Sequence, residues 1–232
     1  MKDLLLLHGA IGAKDQLATL AEKLRPAFTI HTIDFSGHGG MAFADEEFSI
    51  PLFADEVLSY IHSNQVSRLD IFGYSMGGYV ALYLARHQPT LVDKVITLAT
   101  KFHWDQATAA KEIKMLDADT ISEKVPAFAE QLRKRHHPND WKLVLAQTKV
   151  MLEQLGRENA LHPEDFKAIA APCLLLLGDK DKMVTVEETI AVQEALPHGL
   201  FRALANTPHP IEQVDNDLLA AMISDFLEEK DQ

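Results

Sequence analysis

A single cysteine, Cys173, stands in this chain of 232 residues, so no intramolecular disulfide can hold the fold. Leu174 to Leu177 follow it, which places the thiol in an apolar strand as packing rather than as a nucleophile. Long apolar runs are also lacking: 47% of the residues are hydrophobic, yet no run approaches the roughly 20 needed to cross a bilayer. Met1-Lys2-Asp3 leads only four leucines, too short and too acidic for a secretory signal, and a cytoplasmic location is expected. Basic charge is scarce. Lys and Arg number 22 against 34 Asp and Glu, and the net charge of −12 argues against nucleic-acid phosphates and anionic membranes as partners. The local cluster Arg133-Lys134-Arg135-His136-His137 reads as a solvated helix end rather than an anion site. There is no His-Glu-x-x-His spacing and no cysteine partner for the histidines, and adjacent His136 and His137 would point apart, so neither metal nor cofactor is expected. Repeats, low-complexity tracts and Pro/Gly-rich linkers are absent too, and the length suits one large α/β domain.

What is present is a regular alternation of strands and helices. Leu4-Leu5-Leu6-Leu7 is a continuous apolar run suited to a strand covered on both faces, and it ends in His8-Gly9-Ala10-Ile11-Gly12. Residues 14 to 25 have helical spacing, with Pro26 as the stop. A β-branched strand over Phe28–Asp34 breaks at Phe35-Ser36-Gly37-His38-Gly39-Gly40, and a helix opened by Pro51 spans 51 to 63. Strands are also expected over Lys94–Thr100, Pro172–Leu177 and Gly199–Ala205, with a helix over 187–196 between the last two. From Phe102 to about Ala168 the pattern is helical throughout, with apolar positions such as Ile113, Leu116, Phe128, Leu132, Trp141 and Met151. An insertion of this size exceeds what one sheet crossover needs.

The chain is organised around Leu69-Asp70-Ile71-Phe72-Gly73-Tyr74-Ser75-Met76-Gly77-Gly78, an apolar strand, a sharp turn and the start of a helix. Glycines two residues either side of Ser75 suit a corner that lifts a hydroxyl into the open, with the Met76 amide at the positive end of the helix. At this Gly-x-Ser-x-Gly elbow the sequence resembles the α/β-hydrolase superfamily. The resemblance implies a mainly parallel, doubly wound sheet of about six strands, the family's first two being missing, with residues 1–101 and 169–232 as core and 102–168 as a helical cap. It implies a second oxyanion-hole amide at Ala10, beside that of Met76, and selects Asp181 in Gly178-Asp179-Lys180-Asp181 as the acid, with Asp179 the runner-up. His209 lies at the carboxyl end of the last strand, where open α/β sheets bind ligands, whereas His198 lies at the opposite edge. The order Ser75, Asp181, His209 matches the superfamily's nucleophile, acid and base. His8 and His38 read as orienting or structural residues. Lys101, Phe102, His103 and Trp104 sit where a strand delivers the chain to the expected pocket. The function implied is hydrolysis of a small carboxylic ester or thioester through an acyl-serine, without cofactor. Carbon–carbon bond hydrolysis or lysis on the same triad, and non-catalytic binding of a small molecule, are the alternatives. Oligomeric state is open.

Overall fold

A computed structural model describes residues 1–229; residues 230–232, the end of the expected core segment 169–232, lie outside the described residues. Six strands, β1 (Lys2–Leu7), β2 (Phe28–Thr32), β3 (Leu69–Tyr74), β4 (Val92–Leu98), β5 (Cys173–Gly178) and β6 (Gly199–Leu204), form one sheet in the order β2-β1-β3-β4-β5-β6. Every pairing is parallel. Helices α1 (Ala18–Leu24), α2 (Ile50–Ser63), α3 (Met76–His87) and α9 (Val186–Ala195) make the short crossovers, and α10 (Asn216–Glu228) follows β6. Between β4 and β5 lie five helices: α4 (Gln106–Lys114), α5 (Ala118–Lys124), α6 (Pro126–His136), α7 (Trp141–Arg157) and α8 (Pro163–Lys167).

The leucine run of β1 feeds two cores at once, because successive strand side chains point to opposite faces. Leu5 and Leu7 join Ile71, Val95 and Leu175 under α2 and α3, while Leu4 and Leu6 join Phe72, Ile96 and Leu174 under α1 and α10. Parallel strands buried on both faces therefore need unbroken apolar sequence, which this one supplies. Several helix starts are set by side-chain caps. Ser49 Oγ accepts from Leu52 N at 3.1 Å to open α2, and Asp105, Asp117 and Asp140 cap α4, α5 and α7 in the same manner. Among the described residues no helix is long and apolar enough to cross a membrane.

Several boundaries shift by a residue or more from the sequence reading, and three of the shifts have a visible cause. The expected helix over 14–25 begins as a 3₁₀ turn, Lys14–Leu17, because the Gln16 side chain accepts from Ala13 N and Lys14 N is drawn to Asp34 Oδ1 at 2.8 Å. The same carboxylate, also 3.1 Å from Lys14 Nζ, takes the chain away from the sheet, so β2 stops at Thr32. Strand β4 ends at Leu98 because Ala99 turns to φ +55°. The basic cluster at the end of α6 also needs correction. Arg133 and Lys134 are exposed, but His136 is fully buried and the Arg135 side chain is only 16% exposed, since this helix end is pressed against the β1 and β2 loops.

Candidate active site

The carboxyl ends of β1, β3, β5 and β6 meet at one place. Ser75, between β3 and α3, has φ +50° and ψ −116°, a conformation that costs a non-glycine residue on the order of 1–3 kcal/mol. Its surroundings hold it there: Ser75 N donates to Leu98 O at 2.8 Å, and Thr100 Oγ1 donates to Ser75 O at 2.9 Å. Gly73 and Gly77 answer to space rather than to backbone angle. A Cβ on Gly73 would lie 2.3 Å from Gly77 O, and one on Gly77 would lie 2.5 Å from Leu7 O.

Beside the elbow, Gly9 to Gly12 form a turn closed by Gly12 N donating to Gly9 O at 3.1 Å, with Ile11 at φ +53°. A Cβ on Gly9 would come within 2.9 Å of the Tyr74 ring and 3.2 Å of Ser75 Cβ, so the absent side chain lets this turn seat against Ser75. The Ala10 amide, inside the turn, has no acceptor among the described residues. Met76 N, the first amide of α3, has no intrahelical partner. Ala10, Ser75 and Met76 line one cavity of about 370 Å³.

His209 lines the same cavity, and its Nδ1 lies 2.7 Å from Asp181 Oδ2. Asp181 is 1% exposed at its side chain, and its Oδ1 accepts from Met183 N and Val184 N at 2.8 and 3.0 Å. Burial alone would raise its pKa. The hydrogen bond and charge of His209 and the two amides outweigh it and hold the carboxyl below the usual range. An ionised acceptor at Oδ2 assigns the ring proton to Nδ1 and leaves Nε2 unprotonated, with a lone pair free to accept a proton. The His209 loop is tied down by Tyr74, whose hydroxyl donates to His209 O at 3.1 Å. Asp179 is used elsewhere: its Oδ1 accepts from Thr207 N at 3.2 Å, joining the ends of β5 and β6. Ser75 makes no side-chain hydrogen bond among the described residues.

A model of the alpha/beta hydrolase family matches residues 4–221. The chain belongs to the alpha/beta hydrolase family. A pimeloyl-[acyl-carrier protein] methyl ester esterase of Neisseria meningitidis is 27% identical over 250 residues, covering 98% of this chain and 94% of that protein. MenH from S. aureus superposes with a TM-score of 0.77 at 23% identity, over 98% of this chain and 93% of that one. The enol-lactonase from Burkholderia xenovorans LB400 superposes with a TM-score of 0.77 at 18% identity, over 98% and 92%. Structural likeness at these identities speaks to the shared hydrolase fold.

Of the four pocket residues expected in this hydrolase, Lys101 and Trp104 line the cavity. Phe102 and His103 are not brought to it. Phe102 is buried edge-on against Phe166, and His103 is exposed with Nε2 3.7 Å from Asp105. Two participants were missed. Tyr74 was hidden inside the elbow motif as a strand residue. His136 Nε2 lies 3.1 Å from Ile11 O, so an α6 residue steadies the turn that carries the Ala10 amide. Its other nitrogen, Nδ1, accepts from Gly39 N at 3.3 Å, and Asn139 Nδ2 donates to Gly37 O at 3.0 Å. These bonds fasten the α6–α7 connection to the loop after β2.

Proposed function

We propose that this chain is a serine hydrolase of small carboxylic esters or thioesters, with residues 1–101 and 169–232 as catalytic core and 102–168 as a cap. The observation that carries this reading is the 2.7 Å His209–Asp181 pair on the same cavity as a Ser75 held at φ +50°. Ser75 Oγ attacks the substrate carbonyl carbon while His209 Nε2 takes its proton. Asp181 fixes the Nδ1–H tautomer and stabilises the imidazolium. The oxyanion accepts from the Ala10 and Met76 amides, each such donor typically lowering the barrier by about 2.7–4 kcal/mol. Collapse expels the alcohol or thiol, protonated by His209, and leaves an acyl-serine. Water, deprotonated by the same histidine, then releases the acid. Ester chemistry is what the name of the Neisseria relative states for that protein.

The cap sets the size of the substrate. Leu116, Met151, Leu152 and Leu155 wall a cavity of about 370 Å³, which suits a small acyl group and excludes folded proteins. Lys101 does not offer a free cation there, because its Nζ is 3.8 Å from Glu188 and lies over the Trp104 ring. A series of p-nitrophenyl esters tests this reading. Each added methylene contributes about 0.8 kcal/mol, about fourfold in kcat/KM, until the wall is met, after which activity falls. Ser75→Ala abolishes turnover across the series. Activity still climbing at long chains contradicts the capped cavity, and undiminished turnover by Ser75→Ala removes the serine from the mechanism.

A further inference from the structure

Glu112, on α4, lines the same cavity as Ser75 and is 3% exposed, yet its carboxyl forms no hydrogen bond or ion pair among the described residues. A buried carboxyl without a partner is destabilising, and leucine at this position would continue the apolar surface of Ile113 and Leu116. The position is held closely. Gly156 of α7 admits α4 so near that a Cβ there would lie 2.6 Å from Ala109 Cβ, one helical turn before Glu112.

The other charged groups on the cavity each have a counter-charge, although Arg135 Nε makes no hydrogen bond. Lys101 has Glu188, and Arg135 has Asp15 at 3.6 Å and Glu212 at 3.2 Å, with Gln16 also donating to Glu212. Thr148, on α7, donates its single hydroxyl hydrogen to Val144 O at 2.8 Å, so it has only lone pairs left to offer the cavity. The α4–α7 wall thus presents acceptors without donors. A substrate bearing a carboxylate would meet cations already neutralised and an acid with nothing to pair it. A substrate bearing a hydroxyl or ammonium group would supply what the wall lacks.

We propose that Glu112 determines specificity by receiving a hydroxyl or ammonium group on the part of the substrate held against α4 and α7. The preferred esters then carry a hydrogen-bond donor away from the scissile carbonyl. This rests on the serine-hydrolase reading, and the test separates the two.

The p-nitrophenyl esters of hexanoate and octanoate are compared with their terminal hydroxy and amino derivatives. At least one donor-bearing ester is expected to exceed its alkyl parent about tenfold in kcat/KM, mainly through KM. Glu112→Leu should abolish that preference and speed the alkyl ester. Glu112→Gln should keep a hydroxyl preference and lose an ammonium one, which tells the two donors apart. Equal ratios in wild type and Glu112→Leu overturn the proposal and leave the hydrolase reading standing. Binding of methyl 6-hydroxyhexanoate and methyl 6-aminohexanoate to Ser75→Ala, with and without Glu112→Leu, is followed by calorimetry. Glu112-dependent binding together with no turnover by wild type overturns the hydrolase reading and supports the donor site. Glu112→Leu should also raise Tm; a fall in Tm would mean that Glu112 serves folding and would overturn the proposal.

Discussion

Ser75 occupies a conformation that its residue type disfavours, and the bonds from Ser75 N and to Ser75 O, with the packing of Gly73 and Gly77, are what sustain it. The two nearby acids are distinguished by what they touch. Asp181 meets the His209 ring, whereas Asp179 meets the backbone of Thr207. Asp181→Asn should therefore lower kcat by about 10⁴, because an amide favours the wrong imidazole tautomer, while Asp179→Asn should change it only slightly. Steady-state kinetics on one ester decides; the reverse ranking would place Asp179 beside the base. At this scale the meeting of Ser75 and His209 at one cavity, with Asp181 hydrogen-bonded to His209, could be anticipated, because the elbow and the carboxyl ends of the strands bring them to one edge. The places of Phe102 and His103 could not, since arrival at a pocket edge does not say where each side chain points after the Ala99 turn. Glu112 was also illegible: between Lys111 and Ile113 it reads as an ordinary polar residue of a surface helix.

The elements that most affect the site lie in the inserted helices. The existence of a helical insertion was readable from its periodicity, but its fastening was not, because His136 sits in a run of basic residues that suggests a wet helix end. In the structure His8, His38 and His136 form a buried group, with ring centroids 5.1 Å apart for His8–His38 and 5.7 Å for His38–His136. His8 Nε2 accepts from Phe35 N at 3.2 Å, so His8 is neutral with its proton on Nδ1, directed at Gly9 O. Burial lowers His8 and His136 to about 4 each and pushes His38 well below the ordinary range. Groups depressed on folding stabilise fully above their unfolded pKa of about 6.5 and lose that contribution as pH falls towards 4. For His136 this is on the order of 3 kcal/mol. Asp70, raised to about 6 by burial, works in the opposite sense, so the informative quantity is a difference between proteins. Urea unfolding at pH 7 and pH 4.5 should show a smaller loss for His136→Gln, which keeps a donor for Ile11 O, than for wild type. An equal loss in both would mean that His136 does not resist protonation.

Across the whole molecule, a parallel sheet gathers residues from distant segments because the strands deliver their carboxyl ends to one edge. Ser75 follows β3, Asp181 follows β5, His209 follows β6 and the Ala10 turn follows β1. The six-strand doubly wound architecture was legible because both-face burial forces continuous apolar strands. The packing of the inserted helices on the sheet loops was not, because it depends on contacts such as His136 to Ile11 that link residues 125 positions apart. In the proposed function this assembly activates Ser75 as a nucleophile. Incubation with a fluorophosphonate at neutral pH, followed by peptide mass spectrometry, tests it directly. One adduct on Ser75 is expected, absent from Ser75→Ala and formed much more slowly by His209→Ala; an unmodified Ser75, or labelling unaffected by loss of His209, would rule out an activated serine.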